Sequence, residues 1–306
     1  VSGAIEVWRG GVDAWECDEM GHLNVRFYLA RAYEGLAGLA AALGMPDAFS
    51  PHAEATLLIR EHHVRFLREA QVGAPLHMTA GVLELGESDL VAVQILTHSL
   101  TGQPCAAITT RAIHVTAAEG RAFPWSGRVR AAAEALRVAR PAEAEPRGVG
   151  PAPAALSASW AEADRLGLPV VARGLVRPGD CDVFGRARPE ALMGRVSDAA
   201  WHLLSGVFDA SAADAGPSGG AMLECRFVFE RLPRAGDQVC VRAGLAEVAE
   251  KTTRRFDWLL DPVGGEPWAV MEAVAAGLDL KARKLAPFGP AARAQMESRL
   301  VPGIGW

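Results

Sequence analysis

The chain has 306 residues, half of them hydrophobic and 22% charged, which fits a folded chain of about two domains and excludes a disordered one. Its formal net charge of −5 excludes a general polyanion binder, because nucleic-acid binding rests on a basic face that neutralises phosphates. The longest clean apolar run, Gly35 to Met45, is too short and too rich in Ala and Gly to span a bilayer.

Taken in chain order, a short strand near Ile5 to Arg9 leads into a loop at Asp13 to Gly21. A helix is predicted from about Asn24 to Leu43, because Leu29, Ala32, Leu36, Leu39 and Leu43 recur at three- and four-residue steps. Gly44 and Pro46 stop it. Four strands are predicted next, at Thr56 to Leu67, Leu76 to Leu85, Leu90 to Leu100 and Cys105 to Val115. Trp125 to Gly167, rich in Ala, Pro, Glu and Arg, reads as a long surface connection with helical pieces at Gly127 to Arg140 and Ala155 to Leu166. A second helix from Pro189 to Phe208 precedes strands at Met222 to Leu232, Gln238 to Val248, Lys251 to Leu260 and Pro267 to Leu278. Pro290 to Leu300 forms a last helix.

This order occurs twice because the sequence repeats. A shift of 164 carries Arg9-Gly10-Gly11-Val12 onto Arg173-Gly174-Leu175-Val176, Cys17-Asp18 with Gly21 onto Cys181-Asp182 with Gly185, and Arg31 onto Arg195. A shift of 163 carries Phe66, Arg68 and Gly73 onto Phe229, Arg231 and Gly236. One register kept over a hundred residues indicates a duplicated α+β domain. The expected divisions are 1–122, a helical connection 123–170, 171–284 and a tail 285–306. The first helix has only Arg31 and Glu34 as charges between Leu29 and Leu43, so each sheet is expected to wrap a largely buried helix.

The chemistry sits in Trp15-Glu16-Cys17-Asp18-Glu19-Met20-Gly21-His22-Leu23-Asn24-Val25-Arg26-Phe27-Tyr28. Gly21 lets the backbone turn close to a ligand, and Asn24 is a good N-cap. Amides at Gly21 to Leu23, at the positive end of the helix, would then suit an oxygen gaining negative charge. Asp-x-Met-Gly-His-Leu-Asn, with Tyr28 four residues on, resembles the Asp-x-x-Gly-His-Val-Asn-Asn…Tyr signature of hotdog acyl-CoA thioesterases of the 4-hydroxybenzoyl-CoA thioesterase type. The duplication resembles double-hotdog members. One departure is Val25, which stands at the family's second Asn.

The resemblance implies two tandem hotdog domains, each a curved antiparallel sheet around a central helix, and hydrolysis of an acyl-CoA or acyl-carrier thioester. Asp18 would act as general base or nucleophile, with Gly21, His22 and Asn24 completing the catalytic set. Leu23, Tyr28, Asp182 and Arg186 would contact substrate. No cofactor is implied beyond coenzyme A as part of the substrate. Neither nucleic acid nor membrane is an expected partner, and a homo-oligomer of the two-domain chain is left open. A hotdog hydratase–dehydratase and a non-catalytic acyl-binding protein are the alternatives.

Other features read structurally. Glu34 and its counterpart Asp198 are expected to be buried partners of Arg31 and Arg195, a second catalytic carboxylate being the other reading. Cys17 and Cys181 lack a shared His and are not read as nucleophiles. His62, His63, His77, His98 and His114 lack metal-ligand spacing. In the second copy Arg186, Arg188 and Leu192 replace His22, Asn24 and Tyr28, so that site is read as decayed, with the arginines free to grip a carboxylate or phosphate. Five cysteines without a C-x-x-C pair, and no charged region followed by an apolar run in the residues from Val1 onward, lead to the expectation of a cytoplasmic setting.

Overall fold

A computed structural model describes residues 3–207, 219–279, 282 and 284–306. Contacts divide the chain into two units, Val1–Pro146 with Cys181–Met193, and Arg147–Asp180 with Gly194–Trp306.

The first unit contains β1 (Ile5–Gly11), α1 (Val25–Ala42), β2 (Ala55–Phe66), β3 (Pro75–Leu85), β4 (Asp89–His98), β5 (Pro104–Thr116) and α2 (Gly127–Ala135). Its strands pair antiparallel in the order β1-β3-β4-β5-β2. Register shifts at Glu6/Trp8, Ile59/Glu61 and Val82/Glu84 add the local twist that curls the sheet. The helix lies in the curl because its inner face is apolar and small. Leu29, Ala32, Leu36 and Leu39 are fully buried. A Cβ on Gly35 would come within 2.5 Å of the Met78 sulfur, and one on Gly38 would overlap the Val7 carbonyl, so these glycines let the helix sit directly on the sheet.

The second unit holds α3 (Trp160–Arg165), β6 (Val170–Leu175), most of α4 (Pro189–Leu203), β7 (Gly219–Phe229), β8 (Gln238–Val248), β9 (Thr252–Leu260), β10 (Pro267–Asp279), β11 (Lys284–Leu285) and α5 (Pro290–Glu297). Its sheet repeats the first, in the order β6-β8-β9-β10-β7, with β11 on β10. Even the register shift at Val82/Glu84 recurs at Leu245/Glu247. The expected end of the second helix at Phe208 lies outside the described residues.

The connection between the copies is packed rather than loose. Val138 and Ala144 cover Val93 and Ala107 on the outer face of the first sheet. Arg65 fixes that cover by donating to the carbonyls of Ala142, Glu143 and Glu145 at 3.1, 2.9 and 3.3 Å. In the second unit Ala158, Ala163 and Leu168 cover Phe256, Trp258 and Leu260. The proline-containing stretch looked like a surface run because its buried residues are small and irregularly spaced. No helix among the described residues is long and apolar enough to cross a membrane.

Candidate active site at the mouth of the first helix

The loop before α1 is a tight hairpin. Asn24 N–H donates to the Glu16 carbonyl at 2.9 Å, Cys17 bridges Leu23, and Asp18 N–H donates to the His22 carbonyl at 2.8 Å. The turn closes through Gly21, whose φ of +77° is one that L side chains rarely adopt. Asp18 Oδ1 accepts from the amides of Met20 at 2.9 Å and His22 at 3.0 Å. The second copy is built alike. Asp182 Oδ1 accepts from Phe184 and Arg186, both at 2.9 Å, and Gly185 has φ +76°. The repeated Asp-x-x-Gly is therefore a turn-forming device in both copies, and it holds each carboxylate in one orientation. Asp18 is half-buried, and its Oδ2 carries no hydrogen bond among the described residues.

Beneath the loop, buried Glu16 pairs with Arg31, which also lies 4.9 Å over the Trp8 ring. Asp180 and Arg195 repeat the pair in the second copy at 3.6 Å. These are the shared ion pairs, and they correct the expectation for the helix acids. Glu34 is exposed and reaches Arg31 only at 3.4 Å, and Asp198 is exposed as well. A helix rich in Ala and Gly reads as apolar on every side, although only one face is covered.

The amides expected to receive a carbonyl are already occupied. Gly21 N–H donates to the Asp18 carbonyl at 3.0 Å, His22 N–H to Asp18 Oδ1, and Leu23 N–H to the Ala70 carbonyl at 2.8 Å. Asn24 is the N-cap, and its Oδ1 accepts from Arg26 N–H at 3.1 Å. Phe27 N–H donates to the Asn24 carbonyl at 2.9 Å. Val25 N–H is thus the first helix amide with no acceptor among the described residues, as expected for the opening residue of a helix. The first such amide is therefore two residues beyond Leu23, the last of those the sequence pointed to.

The His22 side chain meets a carboxylate from a distant segment. Its Nε2 lies 3.2 Å from Glu69 Oε2, and the ring is largely buried. Leu23 and Tyr28 are buried too. The Tyr28 ring packs edge-on to Phe66 at 5.2 Å, and burial pushes its hydroxyl pKa up. Burial likewise raises the Cys17 thiol, with Asp18 and Glu16 adding to the effect. The clustered histidines each have their own partner. Buried His62 meets Thr110 Oγ1 at 3.0 Å, His77 meets Ser99 Oγ at 3.0 Å, and His114 meets the Phe123 carbonyl at 3.0 Å.

The second mouth differs in each of these respects. Arg186 is buried and donates to the Ala117 carbonyl, so it docks its loop against the end of β5. Arg188 reaches Glu190 at 2.8 Å, and burial pushes the Glu190 carboxyl up. Neither arginine is turned to a free anion as the sequence suggested. Pro189 occupies the position of Val25 and has no N–H to give. Glu69, Val25 and Pro189 were missed by motif reading. Val25 and Pro189 were legible as a backbone donor and its absence, whereas nothing in the sequence pairs Glu69 with His22.

Fold and loop together define a two-copy hotdog protein. The chain belongs to the thioesterase-like superfamily, whose family model matches residues 12–133 and 176–296. Solved structures of similar fold include a protein assigned as an oleoyl thioesterase from Lactobacillus plantarum, at TM-score 0.69 and 13% identity, covering 90% of this chain and 97% of that one. A 12:0-ACP thioesterase from Umbellularia californica is similar at TM-score 0.64 and 11% identity, covering 90% and 94%. An acyl-ACP thioesterase from Bacteroides thetaiotaomicron follows at 0.63 and 9%, covering 89% and 98%. Comparison with curated proteins gave no significant match.

Proposed function

We propose that the protein hydrolyses an acyl thioester carried on coenzyme A or an acyl-carrier thiol, at the loop of the first copy. The carrying observation is that Asp18 is fixed by Oδ1 while, among the described residues, Oδ2 and the Val25 N–H that opens the following helix have no hydrogen-bond partner. Asp18 Oδ2 takes a proton from water as its oxygen bonds to the carbonyl carbon. The carbonyl oxygen gains negative charge against Val25 N–H and the positive end of α1. The C–S bond then breaks, and the thiolate recovers the proton from Asp18. His22, held by Glu69, stands on the same hairpin and orients the water or the leaving group. The thiol carrier enters as part of the substrate, and the reaction needs nothing further than water.

The second copy has the carboxylate cage without the amide donor, which supports a single working mouth. Five free cysteines suit a reducing, cytoplasmic setting. The deciding assay is release of free thiol from a panel of acyl-CoAs, followed with a thiol-reactive dye. Thiol release supports hydrolysis. A change in enoyl absorbance without thiol would assign hydration instead and overturn the reading.

A further inference from the structure

The acyl group has to leave the carbonyl in some direction, and the first unit offers little depth. Its apolar interior lies between α1 and the sheet, and that space is filled. Leu29, Ala32, Leu36 and Leu39 are fully buried, so among the described residues the space beside them is packed. Gly35 has no spare room either, with the Met78 sulfur and Gln94 amide against it. Deeper in, Gln94 donates to the Ala32 carbonyl at 2.8 Å and accepts from Thr110 at 3.0 Å, and Thr110 meets His62. An alkyl chain threaded there would lie against a polar network.

Tyr28 begins this packed face, edge-on to Phe66. It stands three residues beyond Val25, about 4.5 Å along the helix axis, and is 4% exposed. From this packing we infer that the substrate is a short or compact acyl thioester, of about six carbons or fewer or a single ring, with Tyr28 as the residue that sets the limit. The inference rests on the hydrolase reading and differs from the long chains named for the structurally similar oleoyl and 12:0 thioesterases.

The test measures kcat/KM for saturated acyl-CoAs from two to sixteen carbons and for benzoyl-CoA, alongside calorimetric binding of S-butyl- and S-dodecyl-CoA thioethers. The expected profile peaks at about six carbons or below and has fallen about tenfold by twelve, with the butyl thioether binding more tightly. Tyr28→Ala moves the optimum to longer chains, and Tyr28→Leu, the residue of the second copy, serves if the alanine variant does not fold. A wild-type optimum at twelve to sixteen carbons, or tighter dodecyl binding, overturns the inference. Absence of hydrolysis for every acyl-CoA would overturn the hydrolase reading instead, and the thioether affinities would still decide the length limit.

Discussion

The imidazole of His22 lies 3.2 Å from the carboxylate of Glu69, and the second copy has lost both members together. Under the two repeat shifts Arg186 stands for His22 and Leu232 for Glu69. The pair is present only in the copy that also has the open Val25 amide and the Asn24 cap. Glu69→Leu is therefore expected to slow thiol release by about tenfold or more with KM little changed, because an unanchored imidazole samples unproductive orientations. Glu69→Gln, whose carbonyl still accepts a hydrogen bond, should recover part of the rate. Steady-state kinetics beside a thermal melt separates this from simple destabilisation.

Asp18 and Asp182 make the same two hydrogen bonds through Oδ1, so Asn can replace either without opening the turn. In the proposed mechanism only Asp18 has an open helix amide on its hairpin, because Pro189 has none to offer in the second copy. Asp18→Asn should reduce hydrolysis by about 10²-fold or more, the usual weight of a general base, while Asp182→Asn stays within about twofold. Equal losses from both variants would mean two working sites and would end the single-mouth account.

Val25→Pro copies Pro189 into the first mouth. Proline is tolerated at the first helical position, and Asn24 already has the extended conformation, φ −63° and ψ 142°, that a following proline requires. The substitution removes the N–H and exchanges the side chain, and Val25→Ala controls for the second change. The expected fall in kcat is about 10²- to 10³-fold, with circular dichroism unchanged and Val25→Ala near wild type.

How far the sequence carries depends on whether the cause is local. The α1 boundaries follow from Asn24, Gly44 and Pro46, which act on their own neighbours, and the duplication follows from matched residues in register. Asp18 with Gly21 was legible as a hairpin carrying a carboxylate. Glu69 was not, because 47 positions separate it from His22 and only β2 folding back beside the hairpin brings them together. The occupied amide of Leu23 escaped notice for the same reason, being taken by Ala70 from that distant segment, whereas those of Gly21 and His22 are taken locally by Asp18 within the turn. Val25 drew attention for the side chain it lacks, whereas the proposed mechanism calls on its backbone.

The Glu16–Arg31 pair gives a stability prediction independent of activity. Both side chains are nearly buried, at 7% and 12% exposure. Arg31→Met would leave the Glu16 carboxylate without its cation, which typically costs about 3–5 kcal/mol. Chemical denaturation should show that loss. Replacing both residues, Glu16→Gln with Arg31→Met, should restore part of it, because no uncompensated charge then remains.

His62 should make stability depend on pH in one direction. Burial pushes its pKa down to about 3, against about 6.5 for an unfolded histidine. Between those values the unfolded chain binds a proton that the native core refuses, so stability falls as pH drops from about 6.5 towards 3 and the loss is complete below that. The slope from this residue is about 1.4 kcal/mol per pH unit. His62→Gln keeps a hydrogen-bonding partner for Thr110 and removes the titration. Urea midpoints for wild type and variant, taken at half-unit steps from pH 7 to 4, should diverge, with the wild type losing stability faster on acidification. Parallel curves would show that the His62 ring is protonated inside the fold.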